Sequence, residues 1–174
     1  RSLKDVRAHL EFVEHEDGDF FEIGAAQVTC QRLNHPGVTA GYRVDSGDHV
    51  LAYICDTDLD GAVLHADGLG EDADETKWLQ KLRQNARDLG HSADLLVCDT
   101  FFLPEEYEPL WGHSCPDEFL RLAAEVDASG VWLFHHGPGR ADSDMDGIVE
   151  RYRPAAVSEG IQLHAAREGV EISL

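Results

Sequence analysis

Long apolar runs and lysine are both scarce in this sequence of 174 residues. It contains no run of about 18 consecutive apolar residues, the length that a membrane-spanning helix needs. The charged opening, residues 1–5, is followed by no apolar core of a signal peptide. We therefore expect a cytoplasmic protein that makes no contact with membranes.

Positive charge is equally limited. Lysine occurs only at Lys4, Lys77 and Lys81, and 34 acidic residues face 14 lysines and arginines, for a formal net charge of -20. Such an excess of negative charge repels nucleic-acid phosphates over most of the surface. Long nucleic acids are therefore disfavoured as partners of this acidic protein.

The four cysteines show no CxxC spacing. Three of them lie in or beside apolar runs, so buried free thiols are expected rather than a disulfide framework. The cysteines are Cys30, Cys55, Cys98 and Cys115.

The length and the 43% of hydrophobic residues predict a single domain over residues 1–174. The first part alternates apolar and polar residues in short runs, separated by turn signals such as Asp17-Gly18 and Pro36-Gly37. This pattern predicts a meander of antiparallel strands. The predicted strands cover residues 10–13, 20–23, 26–30, 39–44 and 50–55.

The second part alternates helices and strands. Apolar residues recur at helical spacing from Trp78 to Leu89, before a buried strand over residues 95–97. A second helix opens at Pro116 and precedes a strand over residues 131–134. A third helix begins near residues 142–144 and is expected to kink or end at Pro154, and residues 170–172 close the domain. The pattern predicts an α/β fold in which helices cover sheets.

Polar side chains follow three of the predicted buried strands. Asp56, Asp99 and His135-His136 each come where a strand ends, and His35 lies in a turn after another strand. Because strands hold the geometry while loops supply functional groups, active sites form at this edge of layered α/β folds. Imidazole and carboxylate groups there are suitable ligands for zinc or a similar divalent ion.

Each of these residues also has a structural interpretation. Asp56 could cap a turn, and His35 precedes Pro36-Gly37, which is itself a turn signal. Asp99 or His113, taken singly, would suggest no function in so acidic a chain. Two imidazoles at the end of an apolar strand favour function, since they are a costly way to build a loop. The joint pattern, rather than any single residue, points to a site.

Seven segments follow one another along the chain: Asn34-His35-Pro36-Gly37, residues 41–44, residues 53–57, residues 94–99, residues 105–107, Trp111-Gly112-His113-Ser114 and residues 133–138. In this order they resemble the metallo-β-lactamase superfamily, most of all its branch that contains ribonuclease Z and related phosphodiesterases. The resemblance covers nearly the whole chain and implies an αββα sandwich, of which this sequence would be the larger, C-terminal part.

The resemblance implies a role for each matching position. His35, Asp56 and His135 match metal ligands, with Asp56 bridging two ions, and His136 is the weaker match. Asp99 and His113 match a proton-handling pair, with His113 as general acid and Asp99 as its orienter. The mechanism implied is attack on phosphorus by a metal-activated hydroxide, with two divalent ions, zinc or else manganese or iron, offsetting negative charge.

One part of the family pattern is missing. The HxHxDH motif, which supplies the other histidines and an aspartate near the nucleophile, occurs nowhere in this sequence, and neither does any HxH. Three ligands alone would bind metal weakly. We therefore expect the sequence to be a fragment that lacks the domain's N-terminal portion and is inactive by itself.

Two classes of function follow, with a variant of the first. The complete protein is expected to be a metal-dependent hydrolase of phosphodiesters, acting on a small phosphoester or a cyclic nucleotide, and the family implies a homodimer by analogy. A non-catalytic binding or sensory-output module on the same fold is the alternative. Hydrolysis of an ester, thioester or lactam also stays open, because fold does not fix substrate.

Overall fold

The computed structural model describes residues 8–62 and 74–174, which form seven strands, three α-helices and one 3₁₀ turn at Pro104–Glu106. The strands are β1 (Phe20–Ile23), β2 (Ala26–Arg32), β3 (Ala40–Ser46), β4 (His49–Ile54), β5 (Leu95–Asp99), β6 (Gly130–Phe134) and β7 (Gln162–Ala165). The helices are α1 (Glu75–Gly90), α2 (Pro116–Glu125) and α3 (Asp142–Ser158).

All seven strands belong to one sheet, in the order of the chain from β1 to β7. The first four strands are antiparallel, as the alternating pattern predicts, whereas β4 to β7 run parallel to one another. Helices α1, α2 and α3 make the connections between the parallel strands. As a result, the carboxyl ends of β4, β5 and β6 lie side by side at one edge of the sheet.

The helices form a layer over the sheet. Helix α1 lies against β2 to β4, α2 against β5 and β6, and α3 against β7, and neighbouring helices contact each other. Strand residues that face this layer are fully buried, such as Ala52, Leu96 and Val131, which pair across adjacent strands. Alternate residues such as Tyr53 and Trp132 are only partly buried. The α/β class is confirmed, and the described residues supply one sheet and one helical layer of the predicted sandwich.

Helix ends follow ordinary capping rules. The side chain of Asp74 accepts hydrogen bonds from the backbone of Thr76 and Lys77 at the start of α1. Helix α3 continues through Pro154 to Ser158, so of the two outcomes predicted at this proline the end of the helix is wrong, and the kink stays a prediction. Pro154 is exposed while Tyr152 and Ala156 are buried on either side of it. Water can satisfy the carbonyl that loses its partner, while packing holds both halves of the helix.

Two predictions about strands are wrong, and one strand was not predicted. Residues 10–13 form no strand, because they are exposed and no described strand pairs with them. The chain also does not close on residues 170–172, which are irregular. The last strand is β7, where Leu163 alone is buried, too weak a pattern to predict.

The four cysteines are free and buried, as predicted, and none of the described helices is long and apolar enough to cross a membrane.

Burial of an acid in the first turn of α2 makes the stability of the fold depend on pH. Burial raises the pKa of Glu118 to about 7 from its ordinary value of 4.5. A carboxyl whose pKa is higher in the folded state contributes stability below its unfolded pKa and loses that contribution as the pH rises through the folded pKa. The contribution of Glu118 to the stability should therefore be lost as the pH rises from 4.5 to about 8.

Glu118→Gln removes this effect. We expect the variant to be about 1–2 kcal/mol more stable than the wild type at pH 8, after allowance for solvent screening, and nearly equal at pH 4.5. Melting temperatures measured from pH 4.5 to 8 test this, with the exposed Glu11→Gln as control. Parallel curves for Glu118→Gln and the wild type would contradict the prediction.

Candidate functional site

Four acidic and imidazole side chains meet at the carboxyl ends of the parallel strands. Asp56 follows β4, Asp99 ends β5 and His135 follows β6, while His113 reaches the same place from the loop before α2. Each offers one ligand atom, and these four atoms all lie within 4.8 Å of one another. The structure therefore brings together four of the five residues that the sequence singles out.

Two of these residues have an unusual backbone. Asp56 and His135 are both in the left-handed region, each with a φ of 52°. This conformation strains the backbone of any residue other than glycine, and Asp, Asn and His adopt it more often than other residue types do. The strand ends thus turn sharply so that both side chains point toward the group rather than along the sheet.

Asp99 and His113 form a hydrogen-bonded pair. The Oδ2 atom of Asp99 lies 2.8 Å from Nδ1 of His113, and the Asp99 side chain is fully buried. Both carboxylate oxygens have backbone partners as well, since Oδ1 accepts from the N–H of Phe101 and Oδ2 from that of Thr57. Burial opposes ionisation, but His113 and His135 outweigh it and hold the pKa of Asp99 below its ordinary value. Asp99 is therefore an anion fixed in place, suited to orienting His113.

His135 is placed between the two carboxylates. Its Nδ1 lies 3.0 Å from Oδ1 of Asp56 and 3.5 Å from Oδ2 of Asp99. Neither contact has hydrogen-bond geometry, so this buried nitrogen has no hydrogen-bond partner among the described residues. The carboxylate of Asp99 raises the pKa of His135 against the opposing effect of burial.

This arrangement fits a metal ion. A buried imidazole nitrogen without a partner, facing a carboxylate that is 48% exposed, is what a cation bound by Asp56 and His135 would satisfy. Imidazole with carboxylate suits zinc, manganese and iron alike. Asp99 fits a metal less well, because both of its oxygens already accept hydrogen bonds.

His35 lies beside the group but outside it. Its ring centre is 5.5 Å from that of His113, and burial lowers its pKa, which favours the neutral imidazole. The N–H of Gly37 donates to its Nδ1 at 3.2 Å, so the neutral ring carries its proton on Nε2. Ligation through Nε2 would require this hydrogen bond to be given up. The role of His35 as a ligand stays a prediction.

Gly112 holds His35 and His113 close together. Its φ is +87°, and a Cβ there would lie 2.5 Å from Cδ2 of His35 and overlap Pro36. No other residue type fits without moving the His35 loop. The glycine directly before His113 is therefore a packing requirement of the site.

We expect Gly112→Ala to lower stability by about 1–3 kcal/mol, because of backbone strain and this overlap, and to displace His35. Denaturant unfolding measures the first effect, and the histidine ring signals in NMR spectra report the second. Gly139→Ala is the control, since a Cβ there meets nothing within 4 Å. Equal stability of the two variants would show that the loop adapts freely.

The sequence alone did not reveal several supporting residues. Phe101 stacks on His113 with ring centres 4.7 Å apart and meets the edge of His135. The Ser114 hydroxyl donates to the carbonyl of Thr57, joining the His113 loop to the segment after Asp56. Their spacing gives no signal, because these contacts link segments far apart in the chain.

No known protein family description matches the chain, and no curated protein matches it in sequence. Solved structures do match in fold. The metallo-β-lactamase fold protein YhfI from Bacillus subtilis is 16% identical with a TM-score of 0.66, over 95% of this chain and 56% of that one. A diphosphatase of the PhnP family is 18% identical with a TM-score of 0.61, over 99% of this chain and 52% of that one.

Human tRNase Z, short form, is 19% identical with a TM-score of 0.52, over 88% of this chain and 45% of its own. The chain thus spans about half the length of the solved structures that it matches. The superposition confirms the fold that the sequence resemblance implies. This chain has the metallo-β-lactamase fold.

Proposed function

We propose that the protein is a metal-dependent hydrolase that cleaves phosphodiester bonds. The observation that carries this proposal is the group of Asp56, Asp99, His113 and His135 at the carboxyl edge of the parallel strands. It combines a metal-binding arrangement with an oriented carboxylate–imidazole pair, and a purely structural domain needs neither.

In this proposal Asp56 and His135 hold divalent ions, with His35 close enough to join them. Zinc is our first assignment, and manganese and iron suit the same donors. When bound, the ions supply Lewis acidity toward the phosphate and lower the pKa of the attacking water. Proton transfer is assigned to His113, which donates a proton to the leaving oxygen. Its ring is oriented by the hydrogen bond to Asp99 and by stacking on Phe101.

The proposed substrates are small. A surface with a net charge of -20 repels a long polyanion, whereas a small phosphoester or cyclic nucleotide needs only the local field of the site. Two of the structural neighbours are a diphosphatase and a tRNase Z, which supports hydrolysis at phosphorus on this fold. A cytoplasmic location agrees with such substrates.

A non-catalytic binding module is the second candidate. This candidate is favoured if the product of the complete gene contains no HxH pair, as this sequence contains none, because few residues would then be available to bind a metal. It predicts a protein without bound metal.

One experiment separates the two candidates. The protein is produced from its complete gene without chelators, and its metal content is measured together with hydrolysis of bis(p-nitrophenyl) phosphate. The proposed hydrolase predicts about two metal ions per domain and turnover that a chelator removes. A protein that contains no metal and shows no turnover would contradict the hydrolase and support the binding module.

A further inference from the structure

Three buried polar residues lie directly beside residues of the candidate site, one on each of three loops. They precede His35, follow Asp56 and follow His113. The three are Asn34, Thr57 and Ser114. At most 4% of any of them is exposed, so their polar groups depend on partners inside the protein. The proposed chemistry assigns them no role.

Thr57 is the residue at which these loops are connected. Its N–H donates to Oδ2 of Asp99 at 3.2 Å, its hydroxyl accepts from the N–H of Asn34 at 3.3 Å, and its carbonyl accepts from the hydroxyl of Ser114 at 2.7 Å. The first and the last of these bonds use backbone atoms of Thr57, which any residue other than proline supplies. Removal of the Thr57 hydroxyl therefore leaves the links to Asp99 and Ser114 in place.

The Ser114 hydroxyl links the His113 loop to the segment after Asp56. It donates to the carbonyl of Thr57 at 2.7 Å and accepts from the N–H of Leu59 at 3.1 Å. Ser114 is 0% exposed, so bulk water has no access to replace either bond. Since both partners are backbone groups of one segment, this hydroxyl fixes the place of the loop relative to Asp56.

The position of this loop decides how far His113 lies from the metal group. Nδ1 of His113 is 4.0 Å from Oδ1 of Asp56, and the rings of His113 and His135 have centres 4.9 Å apart. The hydrogen bond to Asp99 sets the direction of the ring, whereas the backbone of the loop sets its distance. Proton transfer needs heavy atoms about 2.6–3.2 Å apart, and a displacement of about 1 Å can lower a rate by roughly 10²-fold.

We propose that Ser114 is a positioning residue for proton transfer, whose hydroxyl holds the His113 loop so that the imidazole reaches the leaving oxygen. This inference rests on the proposed function. Ser114 is buried away from the substrate, so it acts only through His113 and exchanges no proton in the reaction. Without its hydroxyl, the buried N–H of Leu59 and the carbonyl of Thr57 lose this partner, and the loop moves to satisfy them.

Ser114→Ala tests this role by its dependence on the leaving group. The variant of the protein from its complete gene is assayed with cyclic AMP, whose leaving oxygen is an alkoxide, and with bis(p-nitrophenyl) phosphate, whose leaving group needs no proton. We expect kcat to fall at least about tenfold for cyclic AMP and less than about threefold for bis(p-nitrophenyl) phosphate. KM and metal content should stay within about twofold of the wild-type values, because the metal group is untouched.

Thr57→Val is the matched control. It also removes a buried hydroxyl of the same network, but that hydroxyl serves the N–H of Asn34 and not the His113 loop. The ratio of the rates on the two substrates should therefore remain that of the wild type. If Ser114→Ala does not fold, Ser114→Cys replaces it, since a thiol keeps a weak donor and should give a smaller change of the same kind.

The NMR signal of the Nδ1 proton of His113 measures the same displacement without turnover. The hydrogen bond to the buried carboxylate of Asp99 protects this proton in the wild type. In Ser114→Ala we expect its signal to shift and its exchange with water to become at least about tenfold faster, whereas Thr57→Val should keep both.

Three results would overturn the inference: equal losses on the two substrates, the same change of ratio in Thr57→Val, or an unchanged His113 signal in Ser114→Ala. A wild-type protein that hydrolyses neither substrate would instead contradict the hydrolase proposal. The NMR comparison would then still decide whether Ser114 positions His113.

Discussion

Asp56→Asn is expected to lower both metal content and phosphodiester hydrolysis, the latter by roughly 10²–10³-fold. The carboxylate of Asp56 lies nearer to the unpartnered nitrogen of His135 than that of Asp99, and it is half exposed at the edge of the sheet. Removing its charge removes the anion that would hold a cation there. Asparagine keeps the size of the side chain and tolerates the φ of 52° at this position.

The choice of asparagine separates chemistry from folding. Asp56→Ala should lose activity to the same extent, but it should also lose stability, because alanine tolerates the left-handed backbone less well. Asp88→Asn is the matched control, since Asp88 is an exposed carboxylate on α1. Metal analysis and steady-state rates give the answer, and an Asp56→Asn protein that keeps its full metal content would show that Asp56 is not a ligand.

His135→Ala should have the same effect as Asp56→Asn if both residues hold the metal. The double variant should then be little worse than either single variant, because residues that act as a unit are strongly non-additive. Independent, additive losses would place the two residues in separate roles.

Much of this fold could be predicted from the sequence, because the strands and helices of the parallel half each have a clear pattern of apolar residues. Buried strands such as Leu95-Leu96-Val97 and helices with one apolar face are visible in single segments. β7 was missed because four residues with one buried side chain give no periodic pattern. Residues 10–13 were wrongly predicted as a strand because propensity says nothing about whether a partner strand is present.

The candidate site was readable for a different reason. Asp56 and His135 each follow a strand and Asp99 ends one, and topology alone brings parallel strand ends to one edge. The direction of each side chain was not readable, since it depends on left-handed turns at Asp56 and His135. Asp99 accepts a hydrogen bond from Thr57, after β4, and has His113, near the start of α2, as a further partner; both lie far from Asp99 in the chain or across a loop, and only the folded chain brings them to it.

The proposed role of His113 and Asp99 in proton transfer leads to a prediction that is independent of metal binding. His113 is proposed to protonate the leaving oxygen, so its loss should matter most when that oxygen leaves as a strongly basic alkoxide. For an alkyl phosphodiester we expect His113→Ala to lower kcat by roughly 10²–10⁴-fold. For bis(p-nitrophenyl) phosphate, whose leaving group needs no proton, we expect a loss of less than about tenfold.

The metal content of His113→Ala provides the contrasting measurement. The Nδ1 atom of His113 is already bonded to Asp99, and the Asp56 carboxylate lies 4.0 Å from it, so the metal group should survive the substitution. His9→Ala, in an exposed segment, controls for the loss of an imidazole. Equal losses on the two substrates would remove His113 from proton transfer. Loss of bound metal would instead make it a ligand, with Asp99 as the carboxylate that orients it.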